Sequence, residues 1–465
     1  MKREQLVWLL AVAAGATPLL EKGQGAEYQG LRFGLDGKFK ISVFEDLHFG
    51  EAQSTEWGPE QDRKTIKVVN SILDNEPTNL AILNGDLITG EDVALDNGTL
   101  YLDQVLSPLL ERKIPWASAY GNHDHSRTLS TQKLMEREQS IGGKLAYTKS
   151  MVWGEDHDIG TSNYYVPVYS STGGGNPTLK LLLWFFDSKA GRQFGKTGPD
   201  GKDVSMTDWV DPKVSTIHAL THSGYGQLTA QVVAWFNLEN AAIKQDFQRV
   251  IPSLAFVHIP VHATWSFQQK GGLRSAQAPG INEEIIGHQA NTCVGDECNY
   301  NGNDTPFMQA LVGTEGLIAV FSGHDHGIDW CMKWSATKPL PSNTPATGNN
   351  LNLCFGRHTG YGGYGKWTRG ARQILLDESL IDNRELETWI RLENGKVSGH
   401  VMLNETYGKD KYPVVTKTYI GEVEEEEGKG ETARAESVKL FGECGPATKT
   451  VTVRVDGGTC GTKGV

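Results

Sequence analysis

Between residues 38 and 330 the chain repeats one pattern, a short apolar run that ends in glycine, asparagine or an acidic residue. The first run, KFKISVFEDLH, places Phe39, Ile41 and Val43 at every second position. That is the period of a strand with one face in the core. NLAILNGD is a shorter run closed by turn residues and predicts a second strand. From Gln61 to Asp74 the spacing changes to that of a helix, with Ile66, Val69 and Leu73 on one face, and Glu76-Pro77 stops it. KLLLWFFDS predicts a buried strand, Gln227 to Phe247 a long amphipathic helix, and SLAFVHIP and GLIAVFSGHDH two more strands. Beyond them, RQILLD and ETWIRLENGKVSGHV predict further strands, with a hairpin turn at Asn394-Gly395. Strands alternating with helices predict an α/β layered core.

The runs also set boundaries. Residues from about 190 to 226 and from 268 to 305 are polar, glycine-rich and longer than ordinary connections, so they are expected to be insertions. A catalytic domain is expected over 30–405, followed by an acidic linker over 406–430 that contains the run Glu422 to Glu427. A small strand-rich tail over 431–465 follows, alternating Val451, Val453 and Val455. At the other end, Lys2 and Arg3 precede an apolar stretch from Leu6 to Ala16, with small residues at Ala14-Gly15-Ala16. This predicts a signal peptide over 1–16. The stretch is too short to span a bilayer, which takes about 20 residues.

Composition narrows the function classes. The chain has 465 residues, 44 basic and 56 acidic, for a formal net charge of −12. Such a balance argues against nucleic acid or an anionic membrane as a standing partner. The six cysteines fall into local pairs, Cys293 with Cys298, Cys331 with Cys354 and Cys444 with Cys460. With sequons at Asn97, Asn303 and Asn404, they favour the secretory pathway.

The ends of the apolar runs carry the candidate chemistry: Asp46-Leu-His48, Gly85-Asp86, Gly121-Asn122-His123-Asp124, His258 and Gly323-His324-Asp-His326. Each phrase alone is weak. Asn84-Gly85-Asp86 is ordinarily a turn, and a lone His-x-His is more often a satisfied pair than a ligand set. Together and in this order they read as a two-metal phosphoesterase site. Hydrolysis of a phosphate ester needs a hydroxide at neutral pH and neutralisation of charge at phosphorus, and two cations about 3.5–4 Å apart supply both. Nitrogen and oxygen donors suit manganese, iron or zinc.

The order of these phrases resembles the calcineurin-like metallophosphoesterase family over about residues 38 to 330. The wider wording, ISVFEDLHFGE, LAILNGDLITGE, WASAYGNHDH, LAFVHIPVHATW and VFSGHDHG, is similar to the fungal and plant purple-acid-phosphatase-related proteins that have only the catalytic domain. The resemblance implies a layered α/β/β/α sandwich with a small C-terminal extension, and a cofactor of two divalent or trivalent metal ions. It implies Asp46, His48 and His326 on one metal, Asn122, His258 and His324 on the other, and Asp86 bridging. His123 is then left for the leaving group or the transition state, with Asp124 holding its ring. True purple acid phosphatases carry a tyrosine three residues after the bridging aspartate, where this chain has Thr89, and a glycine where it has His48. A centre without the purple tyrosinate band is therefore expected, with His48 taking over coordination.

The same resemblance implies a phosphomonoesterase acting on a small phosphate ester or a phosphoprotein. The alternatives are a phosphodiesterase on nucleotide or glycerophospho substrates and a non-catalytic binding protein on the same fold. Among the remaining histidines, His125, His262 and His358 flank the motifs, and His262 in HIPVH is the best candidate to face inward and touch substrate. Gly360-Tyr-Gly-Gly363-Tyr-Gly365 satisfies a dinucleotide-binding spacing, but KWTRGARQ after it does not open a helix. It reads either as a mobile loop that could bring Tyr361 or Tyr364 to a bound ester or as a plain turn between strands.

Overall fold

Strict alternation along the apolar runs sorts their side chains onto two opposite faces, and two sheets result. The computed structural model describes residues 30–94, 97–171, 177–206, 229–270, 272–287, 291–294, 297–300, 302–334, 345 and 347–421. One sheet runs β17 (Val397–Leu403), β16 (Leu386–Leu392), β15 (Gly370–Asp377), β2 (Lys38–Phe44), β3 (Leu80–Asn84), β4 (Trp116–Ala119). The other runs β1 (Leu31–Arg32), β5 (Tyr164–Tyr169), β6 (Leu179–Phe186), β9 (Ser253–Val257), β12 (Leu317–Ser322), β14 (Leu351–Phe355), β13 (Cys331–Trp334). Strands β2, β3 and β4 are parallel to one another, as are β6, β9, β12 and β14.

The two sheets face each other across one core. Phe39, Ile41 and Val43 of β2 and Leu80 and Ile82 of β3 meet Leu181, Leu183 and Phe185 of β6 there. Their sequence neighbours point the other way. Leu182, Trp184 and Phe186 share a core with Phe236 of helix α5 (Thr229–Phe247) and Phe307 of α7 (Thr305–Gly313). Phe44, Ala81 and Leu83 cluster with Val68, Val69 and Ile72 of α1 (Trp57–Asn75) and with Leu102 and Leu106 of α2 (Gly98–Arg112). This is the α/β/β/α sandwich. A slip of one residue in β6 would exchange its two apolar faces, and Leu183→Ala would cost about 2–5 kcal/mol through transfer and cavity terms.

Helix α1 begins four residues earlier than its apolar spacing indicated, and Glu76, extended ahead of Pro77, ends it. Glu76 also ties the layers together. It accepts hydrogen bonds from Trp389 and Arg391 of β16 and pairs with the Lys40 ammonium of β2. Among the described residues the other α-helices are α3 (Thr131–Gly142), α4 (Asp156–Ile159) and α6 (His262–Gln269).

Both insertions contain hairpins, β7 (Arg192–Thr197) with β8 (Asp203–Ser205), and β10 (Asn291–Val294) with β11 (Glu297–Tyr300). The linker expected from residue 406 is corrected up to Ile420. Tyr407 is buried and donates its hydroxyl to the Cys331 carbonyl, and the Ile420 amide donates to Lys366. Polar composition suggested a solvated linker there, but backbone hydrogen bonds hold the segment to the catalytic body.

Cys331 and Cys354 face each other on β13 and β14 and are bonded. Cys293 lies opposite Cys298 in the β10–β11 register, with side chains outside the described residues. Cys444, Cys460, the signal-like segment 1–16, the acidic run and the 431–465 tail also lie outside them. Among the described residues no helix is long and apolar enough to cross a membrane.

Candidate metal centre

Parallel strands deliver their ends to one edge of a sheet, and the polar phrases sit at those ends. Asp46 and His48 follow β2, Asp86 follows β3, Asn122 and His123 follow β4, His258 follows β9, and His324 and His326 follow β12. The turns are tight. Asp46, His48, Asp86 and His324 have φ of 54°, 50°, 50° and 75°, a left-handed conformation that costs a non-glycine residue about 1–3 kcal/mol. Backbone hydrogen bonds hold it in place, from the Leu47 and His48 amides to the Asp86 carbonyl at 2.8 and 3.0 Å. Gly85 and Gly121 are required by close approach. A Cβ at Gly85 would lie 2.4 Å from the His258 ring, and one at Gly121 would lie 2.3 Å from Asp86 Oδ1.

The side chains gather into two adjoining groups. Asp46, His48 and His326 converge, with His326 Nε2 3.4 Å from Asp46 Oδ1 and 3.3 Å from His48 Nε2. Asp86, His258 and His324 form the second group. Asp86 stands between them, its Oδ2 2.9 Å from His258 Nε2 and 3.9 Å from His48 Nε2. Asn122 presents a buried Oδ1 that makes no hydrogen bond. A buried carbonyl oxygen without a donor is costly unless a cation takes its lone pair. That orphan and two nitrogen–oxygen triads, with Asp86 of the second also facing His48 of the first, fit two cations.

Three candidate ligand rings are held through Nδ1. His258 Nδ1 donates to the Asn84 carbonyl at 2.8 Å, His326 Nδ1 to the Tyr364 carbonyl at 2.9 Å, and His48 Nδ1 pairs with Thr89 Oγ1 at 3.2 Å. Such partners fix the tautomer and leave Nε2 for the metal. Thr89 thus supports His48.

Electrostatics prepares His48 and His324, while a cation at His258 must displace a proton. Burial drives His48 down to about 3 and His324 to about 4, so both rings are neutral and able to bind a cation. Burial also pulls on His258, but Asp86 and Asp46 outweigh it and lift the ring to about 10. Asp86, despite burial, is held well below the carboxylate range by His258 and His123.

His123 stands beside this centre, its ring 5.0 Å from that of His48 and its amide donating to Asp86 Oδ1. The expected partner of its ring is corrected. Asp124 does not hold His123: its oxygens accept from the backbone amides of Leu87, Ile88 and Gly121, so it fixes the loops. The ring nitrogen Nδ1 lies against Glu91 instead. Burial opposes the charge on His123, yet Asp86 and Glu91 together raise it to about 9.

The expected substrate contacts divide. His262 opens α6 and is buried with its ring stacked on Tyr300 at 3.6 Å and near Trp265 at 5.0 Å, which corrects its placement as an inward-facing strand residue. Strand β9 has already ended at Val257, and a helix begins at His262, two residues after Pro260. Tyr361 donates its hydroxyl to Glu393 and anchors the glycine loop to β16–β17. Tyr364 does reach the centre, stacked on His326 with ring centroids 4.0 Å apart, and is half exposed. The glycine loop is packed rather than mobile, since the Gly363 amide donates to Glu51 and a Cβ there would touch His326 and His48. Sequence reasoning missed Glu91, Glu45 and Arg369. Glu45, buried beneath the centre, accepts from Asn84, and burial followed by Asp46 raises its carboxyl well above the usual range. The only trace of Glu45 in the sequence is an acid inside an apolar strand end.

The model of the family described as calcineurin-like phosphoesterase matches residues 39–327. The chain is 24% identical to "Probable inactive purple acid phosphatase 29" of Arabidopsis thaliana, over 80% of this chain and 87% of that protein. It is 27% identical to "Phosphatase DCR2" of Saccharomyces cerevisiae, over 77% of this chain and 54% of that protein. A dimetal phosphatase from Danio rerio is similar in structure, at 12% identity and a TM-score of 0.42, covering 79% of this chain and 98% of that one.

Proposed function

The chain belongs to the calcineurin-like phosphoesterase family, and on that premise we propose that it is a two-metal phosphomonoesterase. The observation that carries the reading is the pair of groups, Asp46–His48–His326 and Asp86–His258–His324, joined through Asp86, whose Oδ2 lies 2.9 Å from His258 and 3.9 Å from His48. Some relatives bear the word inactive in their names. Here every expected ligand position carries a donor side chain, which supports catalysis over a binding role.

Two bound cations would supply Lewis-acid neutralisation of the phosphate and an activated water. Manganese, iron or zinc suits the donors. The protein does the rest with its own residues. His123 carries a proton at the mouth of the centre and donates it to the departing ester oxygen, with Glu91 fixing the ring through Nδ1. Asp124 keeps the Gly121 and Asp86 loops in register. Tyr364 covers one face of His326. The substrate is a phosphate ester on a small molecule or a protein, and the Cys331–Cys354 bond and the signal-like start support passage through the secretory pathway.

The test compares p-nitrophenyl phosphate with bis-p-nitrophenyl phosphate on metal-loaded protein. Faster release from the monoester is expected. Preference for the bis-ester would make the protein a phosphodiesterase, and no release from either would favour the binding role.

A further inference from the structure

One hydrogen bond, from His326 Nδ1 to the Tyr364 carbonyl, cannot fix the plane of the His326 ring, because the ring can still swing about that bond. Two neighbours remove this freedom. Tyr364 lies 4.0 Å from the His326 centroid at an interplanar angle of 10°, and His358 lies 3.8 Å away at 37°. Two rings this close to one imidazole can only occupy its opposite faces. His326 is therefore sandwiched, with the half-exposed tyrosine outside and the buried His358 inside.

The inner ring is itself fixed. Arg369 Nη1 donates to His358 Nδ1 at 2.8 Å, and a guanidinium has no acceptor, so His358 carries its proton on Nε2 and is neutral. The same Arg369 donates to the Gly365 carbonyl at 3.0 Å, so one side chain ties the inner ring to the loop that presents the outer one. The backbone runs alongside the ligand loop as well, with Thr359 and Gly360 amides donating to the Glu45 and Asp46 carbonyls.

We propose that His358, clamped by Arg369, is a positioning residue for the metal ligand His326, fixing its ring plane so that Nε2 points at the cation shared with Asp46 and His48. The inference rests on the metal-centre reading above. It concerns one of the two cation positions, because His358 packs on His326 and lies edge-on to His48, both members of the Asp46 group.

Equilibrium dialysis of metal-free protein against Mn²⁺ reads both sites without any assay of turnover. Wild type is expected to bind two ions. His358→Ala should weaken one site about 10–100-fold, the usual effect of losing a ligand's supporting partner, and leave the other unchanged. The weakened site should be the one abolished by His326→Ala. His358→Phe, which restores a ring at the same face, should recover most of the affinity. If His358→Ala does not fold, Tyr364→Leu removes the outer ring from the half-exposed side and should weaken the same site. Wild-type affinity in both variants, equal weakening of both sites, or a phenylalanine variant as weak as alanine in folded protein would overturn the proposal. Wild type that binds no Mn²⁺ would overturn the metal-centre reading itself, a result distinct from all of these.

Discussion

Nδ1 of His123 lies 2.5 Å from Oε1 of Glu91, and this contact joins the loop after β4 to the loop after β3 outside the ligand set. It engages Nδ1, so the proposed proton transfer to the ester falls to Nε2. It also helps keep the ring protonated, because Asp86 and Glu91 together overcome burial and raise His123 to about 9.

His123→Ala should retain both metals and lose about 10²–10⁴-fold in turnover, the worth of a positioned general acid. The loss should be smaller for p-nitrophenyl phosphate than for an alkyl phosphate, whose leaving group needs the proton more. Glu91→Gln should move the alkaline limb of the kcat profile to lower pH, since a raising charge is gone. Equal losses on both substrates would assign His123 to electrostatic stabilisation of phosphorus instead.

Metal removal gives the second outcome. Dialysis against a chelator should abolish hydrolysis, and manganese, iron or zinc should restore it. Asp86→Ala should lose metal as well as activity, because that carboxylate lies between the two triads. Metal-loaded protein should show no intense visible tyrosinate band, since Thr89 stands beside His48 and supports its ring. A purple protein would contradict this ligand set.

The strands, the layered core and the convergence of Asp46, His48, Asp86, His258, His324 and His326 were legible because they rest on period-two alternation and on side chains fixed at strand ends. Side-chain partners one loop away were not. Glu91 lies five positions after Asp86 in an irregular loop, so no periodicity points it at His123. Asp124 has the composition of a ring-orienting acid, yet backbone amides surround its carboxylate. His262 looked inward because a strand was extended past Pro260, where a helix begins. Residues 406–420 are polar, and the backbone pairing, the buried Tyr407 and the Lys417–Glu283 pair that attach them are invisible in composition.

Asp62 gives a pH signature away from catalysis. Burial, helped slightly by Glu51, raises its carboxyl to about 6, although the Gly50 amide and the Gln53 side chain donate to it. The folded protein therefore holds this proton more tightly than the unfolded chain. The sign follows: its contribution to stability is full below pH 3.8 and is lost as pH rises through 6. Asp62→Asn should raise the Tm relative to wild type at pH 7, with the difference shrinking toward pH 4. A difference independent of pH would contradict the shift.

The Cys331–Cys354 bond closes a sequence separation of 23 residues between neighbouring strands. Its loss through Cys331→Ser should cost about 2–5 kcal/mol, read by urea unfolding. The reduced protein should keep its metals, since among the described residues no cysteine belongs to either triad.

Asp124 separates architecture from chemistry. Were it to orient His123, Asp124→Ala would mimic His123→Ala, losing turnover mainly on poor leaving groups. Its two oxygens instead accept from three buried amides, those of Leu87, Ile88 and Gly121, on the loops that carry Asp86 and Asn122. Leaving such donors unpaired costs about 1–3 kcal/mol each. Asp124→Ala is therefore expected to lower Tm and weaken both metals, because both loops lose their register, while the ratio of activities on activated and poor esters stays at the wild-type value. Asp124→Asn keeps one acceptor oxygen and should fall between the two. A leaving-group dependence in Asp124→Ala like that of His123→Ala, at unchanged Tm and metal content, would return Asp124 to the role of ring holder.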